Sequence, residues 1–236
     1  EQILIPFMIE QVDALFGLES VAVLYGNDDD FTLSGYDVFI DALFDNDIEI
    51  VGEATFGRGD TDFNPQLTTL LADNPEALVV SALGAEGIQI INQARDNGFE
   101  GLILGGNGFS TPDVLEQTGE NGDNLIVGAS WNVDSSNELS ERFVTLFEDA
   151  YGRQPDQFSV QAYTAMWLFA TAIRCEGAAS GEAIRDGLLA IEAFDSPLGA
   201  FGFSEVGDAM HEPVVQIVQD SAFVPLTEAM VEDMQD

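Results

Sequence analysis

Residues Ala77–Gly106 read ALVVSALGAEGIQIINQARDNGFEGLILGG, and this stretch decides the fold. ALVVS (Ala77–Ser81) and GLILG (Gly101–Gly105) are short apolar runs of the kind that forms strands buried on both faces. Between them, over Glu86–Asn97, Ile88, Ile91 and Ala94 recur at helical spacing, and Arg95, Asp96 and Asn97 lead into Gly98, which closes the turn. Strand, helix and strand in that order make a βαβ unit, the building block of a parallel sheet.

The same alternation extends in both directions. ESVAVLY (Glu19–Tyr25), IEIVGEAT (Ile48–Thr55) and LIVGAS (Leu125–Ser130) read as further buried strands, and Thr32–Phe44, Phe63–Ala72 and Pro112–Thr118 as the helices between them. An amphipathic segment at Pro6–Leu15 precedes the first strand, with Pro6 placed where a helix start accepts it. The expected fold class is α/β: a doubly wound parallel sheet in which five strands complete a small domain. After Trp131 the pattern changes to consecutive helices, at Asn137–Tyr151, Phe158–Glu176 and Gly181–Ile191. Only GAFGF (Gly199–Phe203) and VVQIV (Val214–Val218) follow as short strands, so this region is expected to lack a sheet of its own.

Composition excludes several function classes. The 236 residues carry 43 Asp plus Glu against 6 Lys plus Arg, a formal charge of −37, and every cation is arginine. A surface this acidic repels nucleic acid and anionic lipid. With 46% hydrophobic residues and acids spread along the chain, the composition is that of a folded protein. It points to adaptation to concentrated salt, where the Debye length falls to about 3 Å at 1 M and carboxylate repulsion is screened. The longest apolar run, AYTAMWLFATAI from Ala162, is too short to span a bilayer. A single Cys175 excludes an intramolecular disulfide and reads as a small buried hydrophobe. The opening EQILIPFMIEQ has neither a secretory n-region nor an initiator Met, as expected of a cut or processed chain.

In a doubly wound sheet, ligands bind in the crevice at the carboxyl ends of the strands. The loops leaving those ends are GNDDDF (Gly26–Phe31), Phe56–Asp62, ALGA (Ala82–Ala85), GNGFS (Gly106–Ser110) and Trp131–Asp134. The triple aspartate lacks the alternation of a calcium loop, so no metal site is expected and the run reads as a solvated helix start. The Phe56–Leu67 stretch, FGRGDTDFNPQL, reads as a strand-to-helix turn, with Asp62 or Asn64 capping the next helix and Pro65 in its first turn. His211 is the only histidine, and no nucleophile elbow or phosphate-cradling glycine loop accompanies it. No catalytic residues and no cofactor are expected. Phe31 and Phe109, on two strand-end loops, suggest an apolar cleft.

The order of motifs resembles the solute-binding proteins of ABC importers for branched-chain amino acids, with the type I periplasmic-binding fold. The resemblance is carried by VAVLYGNDDDF, GDTDFNPQLTTLLADNPEALVVSALGAE, QARDNGF, ILGGNGFSTPDVLE, YGRQPDQFSVQAYTAMWLFATAI and GAFGFSEVGDAMHEPVVQIVQD, in that order along the chain. It implies two lobes closing on a ligand. Residues 1–131 would be the second-lobe α/β domain, 132–212 a helical return into an incomplete first lobe, and 213–236 a tail crossing back. The first-lobe sheet, which binds the ligand's α-carboxylate in the family, would lie outside this chain.

On the remaining side, the resemblance implies ligand-binding roles for Phe31, for Leu83 and Gly84, for Phe158, and for Asn107. Asn107 stands where the family places the acid that pairs with the ligand's ammonium, so Asp30 is a candidate substitute or the ligand is amide-like. The implied function is a receptor exported and lipid-anchored outside the cell, with the ABC permease membrane subunits as partners. A homo-oligomer would cover the orphan helices. A sensory ligand-binding domain of the same fold is the alternative, and a hydrolase lacks a nucleophile and base.

Overall fold

In the computed structural model, which describes residues 1–134 and 137–235, the chain divides into two compact units, Glu1–Ala129 with Pro213–Asp236, and Ser130–Glu212. The first unit runs α1 (Leu4–Phe16), β1 (Ser20–Gly26), α2 (Asp30–Asp45), β2 (Glu49–Phe56), α3 (Asn64–Leu70), β3 (Ala77–Ser81), α4 (Gly84–Asp96), β4 (Leu102–Gly105), α5 (Pro112–Thr118) and β5 (Leu125–Ala129). The second contributes α6 (Glu138–Tyr151), α7 (Gln157–Glu176), α8 (Gly181–Leu189), β6 (Phe194–Ser196), β7 (Gly199–Phe203) and β8 (Ala209–Met210). The chain then returns to the first unit with β9 (Val214–Gln219), β10 (Ala222–Pro225) and α9 (Glu228–Gln235).

The first unit is an α/β doubly wound fold. Among the described residues its sheet has seven strands in the order β10-β9-β5-β4-β3-β1-β2, with β1 to β5 mutually parallel. The five parallel strands match their sequence-predicted positions to within a residue at each end. The domain is nevertheless not closed by those five: β9 pairs antiparallel with β5, and β10 antiparallel with β9. VVQIV was legible as a strand; its place as a sixth strand, and β10 beside it, were not.

Both faces of the sheet are covered, and the period-2 pleat sorts side chains between them. Ala22, Leu24, Leu78 and Val80 join Leu67, Leu70, Ile88 and Ile91 of α3 and α4 in one core. Val21, Val23, Ala77 and Val79 face the other way and pack with Ile5, Met8 and Ile9 of α1 and Phe39 and Leu43 of α2. Each fully buried Leu, Ile or Phe here contributes about 1.5–3 kcal/mol of transfer free energy. One cation also serves the interior. Half-buried Arg95 donates to the carbonyls of Phe99 (2.7 Å), Asp123 (2.8 Å), Gly101 (2.9 Å) and Asn121 (3.2 Å), tying the end of α4 to the loops that lead into β4 and β5. Burial draws its pKa down, against the pull of Asp123 and Glu100.

The second unit departs from expectation, and Cys175 near the end of α7 is exposed rather than buried. The unit does have a sheet, three short antiparallel strands in the order β6-β7-β8. A small core of Trp131, Phe143, Val160 and Leu198 lies within the unit, and the Trp131 indole donates to Ser140 Oγ at 2.7 Å.

Candidate ligand-binding site

The strand order fixes where the candidate site lies. From β1 the chain goes to β2 on one side, then to β3 on the other, so the order reverses between β1 and β3 and opens a crevice beyond their carboxyl ends. Phe31 follows β1, and Leu83 follows β3.

The loop after β1 is held by its acids. Asp29 caps α2, its Oδ1 accepting from Phe31 N (3.0 Å) and Thr32 N (3.4 Å). Asp28 Oδ1 accepts from Arg58 N at 2.9 Å, and Arg58 pairs with Asp29 Oδ2 at 3.5 Å. Two of the three consecutive aspartates therefore serve as structural acceptors, and no group of three metal-ligating side chains occurs among the described residues. Thr32 Oγ1 donates to Gly26 O and Ser81 Oγ to Thr32 O, both at 2.8 Å, which clamps the start of α2 onto β1 and β3. Gly35 permits this clamp, since a Cβ there would lie 2.5 Å from Ser81 Oγ. Phe31 is thus placed at the crevice, 38% exposed.

The loop after β2 is a turn pinned from outside. Gly57 N donates to Asp60 Oδ2 (2.8 Å), Gly59 turns with φ +83°, and its N–H reaches buried Glu86 Oε1 at 2.9 Å. Neither Asp62 nor Asn64 caps α3 as expected. Phe63 occupies the cap position, and its N–H is taken by Gln93 Oε1 of α4 at 2.7 Å. Asp62 Oδ1 instead accepts from Asn64 Nδ2 at 2.9 Å and Asn64 N at 3.2 Å, which lower its carboxyl pKa from the ordinary value. Pro65 does lie in the first turn of α3.

The loops after β3 and β4 meet at Gly108. A Cβ on Gly108 would lie 3.0 Å from Ala82 O, 3.7 Å from the Phe31 ring and 3.9 Å from Leu83 Cα, and one on Gly84 would lie 3.4 Å from Gly108 O. The structure therefore brings Phe31, Leu83, Gly84 and the Asn107–Phe109 3-10 turn together at one edge. Asp30 is the first, exposed residue of α2. Phe109 does not line a cleft as expected. Its ring is fully buried in space left by Gly87 and Gly105, where added Cβ atoms would come within 2.6 and 2.8 Å of it.

A further carboxylate reaches this edge from 106 residues away: Asn107 N donates to Glu1 Oε1 at 3.0 Å and Oε2 at 3.3 Å. Nothing in the sequence marked Glu1, because no local pattern reports so distant a contact. An open groove of about 580 Å³ runs beside the edge, from Gly59 and Asp60 past Gly84 and Gly108 to Thr111.

Phe158 belongs to the second unit, as the second residue of α7, and is 39% exposed. So does His211, whose Nε2 lies 3.4 Å from Ser130 Oγ while Nδ1 faces the Glu212 carbonyl at 3.1 Å. Among the described residues no carboxylate hydrogen-bonds this imidazole as a triad would require.

A profile of periplasmic binding proteins matches residues 8–221. The chain belongs to the periplasmic binding protein family. Relatives of this family bear out the resemblance. The Leu/Ile/Val-binding protein homolog 3 of Brucella melitensis is 25% identical over 155 residues, which make up 64% of this chain and 40% of that protein. The leucine-binding protein LivK of Thermotoga maritima superposes with a TM-score of 0.87 at 27% identity, over 94% of this chain and 65% of that one. Two more distant structures share the fold: LivJ of Streptococcus pneumoniae in complex with isoleucine (TM-score 0.84, 23% identity, 94% and 63% covered) and a solute-binding protein of R. palustris in complex with benzoate (0.81, 21%, 95% and 61%). This periplasmic binding protein chain thus spans less than two thirds of each of these relatives. Among its described residues no helix is long and apolar enough to cross a membrane.

Proposed function

We propose that this chain is the ligand-gripping part of an extracytoplasmic solute receptor that delivers a branched-chain amino acid, or a related small carboxylate-bearing solute, to an ABC permease. One observation carries the reading: Phe31, Leu83, Gly84 and Asn107 converge at the reversal point of the sheet, in a family of binding proteins. Phe31 and Leu83 offer an apolar wall for a branched side chain, and Asn107 offers an amide for its polar end. Residues 1–131 with the 213–236 tail make one lobe of the receptor; residues 132–212, with the candidate ligand contact Phe158, belong to the other. The ligand carboxylate is held outside this chain. The receptor works outside the cytoplasm, tethered by a lipid, and binds without turnover.

Two structural relatives support this choice of ligand class, since the isoleucine and benzoate in their complexes both present a carboxylate on an apolar body. Thermal unfolding of the full-length protein in concentrated salt tests it, because a ligand that binds only the native state stabilises by RT ln(1 + [L]/Kd). Leucine, isoleucine or valine should raise Tm in a saturable way. A flat response to all three, together with a rise in an uncharged amide, would replace the amino acid by an amide.

A further inference from the structure

We propose that the Ser130–Glu212 unit holds a second small-molecule site, a pocket for an uncharged aromatic alcohol the size of phenol. Residues 161, 164, 165 and 168 of α7 recur at the spacing that puts them on one helical face. Phe201 and Phe203 alternate along β7, which puts both on one side of that strand. These two faces, with Ser130 and His211, line an open pocket of about 350 Å³, within the range of about 300–1,000 Å³ usual for ligand pockets. Its described walls include neither Phe158 nor any candidate of the sheet edge, so the pocket lies apart from the site proposed above.

The walls specify the ligand. In a chain with 43 acids, the described walls carry no Asp, Glu, Lys or Arg. An ion entering would give up hydration without meeting an opposite charge, so the fitting solute is neutral. Leu168, Leu198, Phe201 and Phe203 supply apolar surface. The His211 imidazole extends it, stacked on the Phe201 ring with centroids 6.0 Å and planes 9° apart. Its nitrogens face Ser130 Oγ at 3.4 Å and the Glu212 carbonyl at 3.1 Å, so the protein itself engages its polar atoms. The polar handle for a ligand is Thr164, which is 1% exposed, lines the pocket and has no hydrogen-bond partner in the protein for its Oγ1. A helical threonine can bond the carbonyl four residues back, as Thr69, Thr118 and Thr145 do at 3.1, 2.7 and 3.0 Å. Thr164 does not. A buried unpaired hydroxyl is costly, and a ligand hydroxyl, donor and acceptor at once, removes that cost.

The test is calorimetric titration of the full-length protein in concentrated salt with phenol and with fluorobenzene, the same ring without the hydroxyl. Phenol should bind saturably, stay bound in saturating leucine, and bind about fivefold more tightly than fluorobenzene, the worth of one hydrogen bond. Thr164→Val keeps the shape and removes the hydroxyl. It should weaken phenol about fivefold, leave fluorobenzene within about twofold, and leave Tm unchanged or raised, since the group removed had no partner. Ala165→Phe fills the pocket and should abolish binding of both rings, with the Tm of the variant checking its fold. The proposal is overturned if phenol does not bind, if leucine displaces it, if Thr164→Val leaves its affinity unchanged, or if that variant weakens both rings equally. None of these outcomes touches the receptor reading, which stands on the response to leucine, isoleucine and valine.

Discussion

The two units divide the labour of burial unequally. In the Glu1–Ala129 and Pro213–Asp236 unit, helices cover both faces of the sheet and side chains such as Phe39, Phe63, Ile90 and Leu78 are fully enclosed. In the Ser130–Glu212 unit the buried hydrophobic residues among those described are Trp131, Phe143, Val160, Leu168, Ala172 and Leu198, while Trp167 (50%), Met166 (68%) and Tyr151 (68%) stand exposed. Helical amphipathicity alone does not produce a core; it needs a surface to close against. A large two-faced sheet provides one within the first unit. Three strands of two to five residues provide little in the second.

Substitutions can break this contrast, beginning with the largest effect. Phe39→Ala in the first unit should cost about 3–5 kcal/mol by denaturant titration, the range for a buried aromatic lost from a packed core. Trp167→Ala should cost less than about 0.5 kcal/mol, as surface changes do. Comparable losses for the two would erase the contrast. Arg95→Met should cost about 3 kcal/mol, because four partly buried carbonyls lose a charged donor at once. A loss below about 1 kcal/mol would mean water replaces the guanidinium freely. Gly87→Ala drives a methyl against the Phe109 ring and should cost about 1–3 kcal/mol. It should also weaken ligand binding by shifting the Asn107–Phe109 turn, whereas Gly181→Ala, with open space around it in the second unit, should do neither.

Two subtler tests follow from charge. Reducing salt below about 0.1 M, where the Debye length exceeds about 10 Å, should lower Tm, since 43 acids then repel over longer range. A Tm independent of salt would remove repulsion as a factor. The smallest effect concerns Glu1. Its folded pKa is raised, so the native state holds this proton more tightly than the unfolded chain does. The stabilisation is complete below the unfolded value and is lost as pH rises through the raised folded value. The Tm of Glu1→Gln relative to wild type, without ligand, should therefore increase with pH across that window; a constant difference would mean the carboxyl titrates normally.

What was legible in the sequence follows the same physics. Strands β1, β3, β4 and β5 announced themselves because burial on both faces demands unbroken apolar runs. Strands β6 and β8 have three and two residues, too few to show a period. The hairpin joining β9 to β10 turns through Asp220 and Ser221 at positive φ, without the glycine that usually marks such a turn. Phe109 looked like a cleft residue because its glycine neighbours read as loop, when Gly87 and Gly105 are the space its ring fills. The convergence of Phe31, Leu83 and Asn107 on one edge followed from strand order and resemblance together. Glu1 did not, since its partner is 106 positions distant.

Arg95 sets a limit on how acidic this protein can become. The chain has only six basic residues and no lysine, and five of the six are exposed, Arg95 being the exception. At Arg95 the positive charge faces four carbonyl oxygens, so an acid there would add repulsion inside the fold without gaining hydration outside it. Lysine would keep the charge but lose the planar fork that reaches several acceptors at once. Continued drift toward acidity along this sequence would meet its first structural obstacle at that one guanidinium.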